Sequence, residues 1–151
     1  MYSEGITHIT QAMTKHGVRR LVCVTSTVLF GVPAPGETFF FRKVLEPFIA
    51  RTIGRTVYDD MRRMEEIVRD SDRAWTVIRP AGLFDTDAVS DYQVATSRLP
   101  GRFTSRADLG NALLREAAGD RHVGAFVDVR TTEGVPSFLD VIRKEAFGGS
   151  N

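Results

Sequence analysis

Tyr58 and Arg62 stand one helical turn apart on a common face, with Glu66 a further turn along, so a phenol, a guanidinium and a carboxylate share one stripe. The same spacing also fits a solvated charged face, because Tyr58, Arg62, Glu65, Glu66 and Arg69 lie opposite a Met61 and Met64 stripe. Thr25 and Ser26 close an apolar run. A serine hydroxyl there can donate to a ligand carbonyl, or both hydroxyls can satisfy backbone groups at a strand end. Pro80, Ala81 and Gly82 stop a second apolar run and read as a turn. Trp75 reads as core. His8, His16 and His122 share no cluster of His, Asp or Glu at ligand spacing, so no metal site is expected. No G-x-S-x-G elbow occurs either.

The elements that would position these groups follow from periodicity. Ile6, Ile9 and Met13 fall on one helical face and Gly17 stops that helix. Val18 to Thr25 has the near-continuous apolar composition of a strand buried on both faces of a parallel sheet. The prolines and glycines of Val28 to Gly36 mark a loop at its carboxyl end, the edge where open α/β sheets bind ligands. Phe39 to Ile53 predicts a helix with a broad apolar face, interrupted near Pro47. Val57, Met61, Met64 and Val68 predict the helix carrying Tyr58 and Arg62. Thr76 to Ile78 is a short buried strand stopped by Arg79 and Pro80, and Ala125 to Val129 is a third. Between them, Phe84 to Pro100 reads as helix and loop. Ser105 to Asp108 has the form of a capping box before a helix ending at Gly119. A last helix runs from Phe138 to Ala146, opened by Pro136. The expected fold class is α/β: a Rossmann-like parallel sheet with flanking helices, truncated to about three to four strands.

Composition bounds the function. At 151 residues the chain suits one domain, on the order of 150 residues being usual. Twenty Lys and Arg against nineteen Asp and Glu leave a net charge of +1, too weak a field to hold nucleic acid or an anionic membrane. A hydrophobic share of 42% with 26% charged residues argues for a folded globular chain. Cys23, the single cysteine, allows no internal disulfide; with neither signal-like start nor apolar span, the expected location is cytoplasmic.

Three segments, in this order, resemble the C-terminal portion of an atypical short-chain dehydrogenase/reductase of the NAD(P)H-binding, NmrA-like and flavin-reductase-like kind. Gly17-Val-Arg-Arg-Leu-Val-Cys-Val-Thr-Ser26 is similar to the family strand ending in Ser-Ser. Trp75-Thr-Val-Ile-Arg-Pro-Ala-Gly-Leu83 resembles its "WTIxRP" strand, and Ser105-Arg-Ala-Asp-Leu109 its "RxDxA" helix start. The likeness runs from about Tyr2 to Val129. It departs from the family in two places. None of the thirteen glycines forms the G-x-G-x-x-G or G-x-x-G-x-x-G turn that lets a pyrophosphate approach the backbone, so the N-terminal Gly-rich half is expected to be missing. The family's Y-x-x-x-K becomes Tyr58-x-x-x-Arg62, and arginine is bulkier, keeps its proton and reaches ribose hydroxyls with another geometry.

The resemblance implies NADP or NAD as cofactor, with the site incomplete in this chain, and hydride transfer to a small carbonyl, quinone or flavin-type acceptor. It implies Ser26, Tyr58 and Arg62 as catalytic residues, the lysine equivalent serving to lower the phenol pKa. It also implies Thr25, Ser26, Pro80, Ala81 and Gly82 as cofactor contacts. The chain alone is not expected to be competent. Loss of the first strands would expose a sheet edge, and relatives pair through the helices of this region, so a homodimer is expected. Two other readings stand beside it: a non-catalytic NmrA-like regulatory or scaffold module, and a sugar-nucleotide epimerase or dehydratase relative.

Overall fold

The computed structural model describes residues 1–30 and 55–136. Helix α1 (Tyr2–Lys15) ends where Gly17 takes φ 69°, in the left-handed region that glycine tolerates. The Gly17 amide donates to the Thr14 carbonyl at 3.3 Å and the Val18 amide to Met13 at 2.9 Å, the paired closure expected at such a stop. Ile6 and Met13 are buried, but Ile9 is exposed. At 3.6 residues per turn Ile9 sits about 60° from Ile6 and about 40° from Met13, at the margin of a narrow stripe.

Strand β1 (Arg20–Val24) begins two residues later than the apolar run, because the Val18 amide closes α1. It is not buried on both faces. Only Leu21 is fully buried, since among the described residues β1 is an edge strand paired with β2 alone. A 3₁₀ turn, Thr27–Phe30, follows. The loop from Gly31 to Gly36, the helix of Phe39 to Ile53 and the helix of Phe138 to Ala146 lie outside the described residues.

Helix α2 (Arg55–Arg69) precedes β2 (Ala74–Pro80), β3 (Gly82–Phe84), β4 (Tyr92–Ala95) and β5 (Phe103–Ser105). Helix α3 (Arg106–Ala118) then leads to β6 (Ala125–Thr131). The main sheet has the order β1-β2-β6-β4, with the first three strands parallel and β4 antiparallel to β6. Strands β3 and β5 form a second, parallel pair. The α/β, Rossmann-like expectation holds, at four strands in the main sheet. The segment from Phe84 to Pro100 is not a helix: it carries the end of β3 and all of β4. Strands of three or four residues are too short for a period of two to declare itself.

Strand β2 continues through Arg79 and Pro80 rather than stopping before them. The Ile78 carbonyl accepts from the Thr25 amide, so Pro80, two residues on, turns its nitrogen to the same side. There β1 has already ended, and no ladder donor is required.

Alternation along the strands divides the core. Leu21, Trp75 and Val77 pack with Ile6, Met13, Met64 and Val68 beneath α1 and α2, joined by Cys23 and Phe126. Ile78, Val127 and Val129 pack with Leu109 and Ala112 of α3 on the other face, joined by Val22 and Val24.

The capping box is half realised. Ser105 Oγ accepts from the Asp108 amide at 3.0 Å, but the Ser105 amide donates to Thr131 Oγ1 at 2.8 Å instead of to Asp108. The fully buried Asp108 carboxylate accepts from the Ser90 amide at 2.7 Å, the Ser90 hydroxyl at 2.9 Å and the Thr131 hydroxyl. It thereby fastens the loop before β4, and β6, to the start of α3. Burial alone would raise its pKa; the hydrogen bonds of Thr131, Ser90 and Ser105 outweigh burial and hold it below the ordinary carboxylate value.

Two outcomes follow for stability. Ser105→Ala is expected to cost about 1 kcal/mol, read as a lower urea midpoint at unchanged slope. For Asp108 the folded pKa lies below the unfolded one, so its stabilisation is present above the unfolded value and disappears as pH falls through the folded value. Asp108→Asn should lower the urea midpoint at neutral pH, with a deficit that shrinks through acid titration. A deficit constant with pH would assign the loss to packing.

Candidate functional site

The parallel strands β1, β2 and β6 end on one edge of the sheet, and Thr25, Ser26 and Ala81 stand just beyond the first two. The Thr25 amide donates to the Ile78 carbonyl at 2.9 Å, carrying the β1 pairing one residue further. Ser26 then turns the chain. Its Oγ accepts from the Val28 amide at 3.3 Å and its carbonyl from the Leu29 amide at 3.0 Å. Both bonds use Ser26 as acceptor, so among the described residues its hydroxyl proton stays available to a ligand oxygen.

Beneath this edge lies a buried charged group. The Thr25 hydroxyl donates to Glu65 Oε1 at 2.6 Å. Arg79 grips the same carboxylate with Nε at 2.9 Å and Nη2 at 2.6 Å, a two-pronged pairing matched to guanidinium geometry. Thr25, Glu65 and Arg79 are 7%, 6% and 9% exposed, low enough that neither charge is satisfied by water. The Arg79 guanidinium also stands 4.2 Å from the centre of the Phe126 ring. The expectation that Glu65 belongs to a solvated face is therefore wrong: it borders Met64 and Val68 on the face that α2 turns to the sheet.

The row extends into β6. Arg79 is register partner to Asp128, which is fully buried beside Arg130, 2% exposed. Arg130 pairs with Asp128 and donates to the Gly101 carbonyl at 3.3 Å, while the Leu99 amide donates to Asp128 at 3.0 Å. Burial raises the Asp128 carboxyl; the Leu99 amide and the Arg130 charge only partly offset it. Sequence reading passed over this layer. The signal was present, because Val127-Asp-Val-Arg130 alternates apolar and charged residues in a strand at the centre of the sheet.

Tyr58 and Arg62 occupy the first half of α2. Tyr58 is half-buried, and burial raises its phenol pKa. Arg62 is exposed and pairs with Asp59 at 3.0 Å. The cation is thus drawn to a neighbouring carboxylate, and the phenol moves opposite to the direction wanted of a proton donor near neutrality. The Ala81 amide donates to Thr104 Oγ1 at 3.1 Å and the Gly82 amide to the Arg102 carbonyl at 3.1 Å. These amides join β3 to β5. A Cβ on Gly82 would stand 3.1 Å from the Phe103 ring and 3.3 Å from the Arg102 carbonyl, so close packing accounts for glycine there. Pro80 is buried at the end of β2.

Trp75 is core, 5.0 Å from Phe126 between ring centres. His8 and His16 are exposed, and His122 Nδ1 lies 2.7 Å from Glu116. Among the described residues no three His, Cys, Asp or Glu side chains are grouped to hold a metal ion, and no helix is long and apolar enough to cross a membrane.

A family described as NAD(P)H-binding matches residues 2–120. Among solved structures, a short-chain dehydrogenase/reductase (wide type) from Veillonella parvula, in complex with NADP, aligns at TM-score 0.71 and 19% identity over 90% of this chain and 63% of that one. ChuY, an anaerobillin reductase from Escherichia coli O157:H7, aligns at TM-score 0.65 and 20% identity over 87% of this chain and 59% of its own. A Rossmann-fold NAD(P)-binding family protein from Shigella flexneri aligns at 0.59 and 21%, over 91% and 59%. The chain thus spans about three-fifths of the length of these proteins.

Cys23 reports on this environment. Burial, and then the Glu65 carboxylate, push its thiol up to about 12, which leaves almost no thiolate at neutral pH. Alkylation of the native chain is expected to run at least about tenfold slower than in denaturant. Equal rates would place Cys23 in solvent.

Proposed function

Because the chain belongs to the NAD(P)H-binding family, matched over residues 2–120, we propose that it is the C-terminal part of an NAD(P)H-dependent oxidoreductase site of the short-chain dehydrogenase/reductase kind. The dinucleotide, when bound, supplies the hydride for a small carbonyl, quinone or flavin-type acceptor. The observation that carries the reading is Ser26: at the carboxyl edge of a parallel sheet its hydroxyl accepts from the Val28 amide and its carbonyl from the Leu29 amide, and among the described residues the hydroxyl proton stays available to donate.

The residues present fit the nicotinamide end. Thr25 and Ser26 would lie along it, with Pro80, Ala81 and Gly82 forming the neighbouring wall. Because the Ala81 and Gly82 amides are engaged within the protein, contact from that wall is steric or through carbonyls. Ser26 would hold the acceptor oxygen by hydrogen bond. Tyr58 would act there only if cofactor and acceptor lowered its raised pKa, and Arg62 would have to leave Asp59 to help. For the pyrophosphate the fit stops, since the sequence has no glycine-rich turn. In this reading the protein is a cytoplasmic homodimer, β1 being an edge strand among the described residues.

A second reading is favoured by the Arg62 to Asp59 pairing and the raised phenol: an NmrA-like module that binds dinucleotide for regulation without turnover.

Titration of the purified chain with NADPH and NADH, with solution mass measured on the same sample, tests both. Saturable binding with a dissociation constant below about 1 mM, weakened by Ser26→Ala, is expected. Binding without oxidation of NADPH by any small carbonyl, quinone or flavin would favour the regulatory module. No saturation would overturn the cofactor reading.

A further inference from the structure

Glu65 is placed so that its two oxygens do different work. Both are held by Arg79, at 2.9 and 2.6 Å, and Oε1 also receives the Thr25 hydroxyl at 2.6 Å. A carboxylate fixed by a guanidinium has little rotational freedom and remains an acceptor, so the Thr25 hydroxyl must donate to it. Thr25 is the first residue past β1, its amide is bonded to Ile78, and the next residue is the Ser26 on which the turn to Leu29 closes. Among the described residues β1 has a ladder partner on one side only. The hydroxyl bond to α2 supplies a second, perpendicular tether.

We propose that Glu65 is a positioning residue: anchored by Arg79, it holds Thr25 and so fixes the turn that presents the Ser26 hydroxyl at the sheet edge. The use of that hydroxyl toward a cofactor rests on the function proposed above; the tether itself does not.

A purely structural buried ion pair would act on the whole molecule, and the experiment is built on that difference. Amide hydrogen exchange is followed residue by residue in the full chain. Thr25→Val keeps the shape of the side chain and the Glu65 to Arg79 pair, and removes only the hydroxyl. Exchange at Val28 and Leu29 should rise about tenfold, the loss of one hydrogen bond, while Val77 and Val127 exchange as before. Thr25→Ser, which keeps the hydroxyl, should restore slow exchange. Glu65→Gln should loosen the same two amides more than any others. Unchanged exchange at Val28 and Leu29 in Thr25→Val, or a uniform rise across the sheet, would overturn the positioning role. NADPH titration of the same variants is read separately: a wild-type chain that fails to bind overturns the cofactor reading, while the exchange result still decides the role of Glu65.

Discussion

The Glu65 to Arg79 pair joins a helix, a strand and a strand end in a place water does not reach. Removing two charges from water carries a penalty of several kcal/mol per ion, and only close pairing with further hydrogen bonds offsets it. Here the offset comes from a two-pronged guanidinium, the Thr25 hydroxyl and the face of Phe126. That requirement fixes the rotation of α2 about its axis. With Glu65 turned to the sheet, Met64 and Val68 must lie beneath α1 and over Trp75 and Val77, where they form the larger core cluster.

Arg79 occupies a strand position whose neighbours on the same face, Trp75 and Val77, are core. The sheet is thus apolar near the amino ends of its strands and ionic toward their carboxyl ends, where Arg79, Asp128 and Arg130 lie side by side. Along one face the medium changes over a few residues from close-packed hydrocarbon to a compensated charge layer. A layer of that kind just under the binding edge of an α/β sheet holds the strand ends in register without filling the edge with bulky side chains.

On the opposite face the means are different. Asp108 gathers the Ser90 amide, the Ser90 hydroxyl and the Thr131 hydroxyl while its own amide is capped by Ser105. The loop before β4 is thereby tied to the start of α3 and the end of β6. Buried carboxylates, Glu65 and Asp128 on one face and Asp108 on the other, fix the carboxyl edge of the sheet from below and above. The Ser26 hydroxyl lies at this same edge.

Taken alone, the sequence determined the α/β class, the first two helices among the described residues, the centres of the three parallel strands, the cap at Ser105 and the burial of Trp75. Each is encoded by neighbours within one or two turns or by an unbroken apolar run. Helical spacing already separates the two acids, Glu65 lying four residues from Met61 and three from Val68 at the border of the apolar stripe and Glu66 on the far side, but tertiary structure alone decided that Glu65 is paired with an arginine 14 residues away. It decided as well that the Ala81 amide goes to Thr104 of β5 and the Gly82 amide to Arg102 beside it, and that three short strands form between Gly82 and Ser105. A hydrogen-bond partner distant in sequence leaves no local periodicity. The desolvation penalty that makes it obligatory exists only once the chain has folded around it.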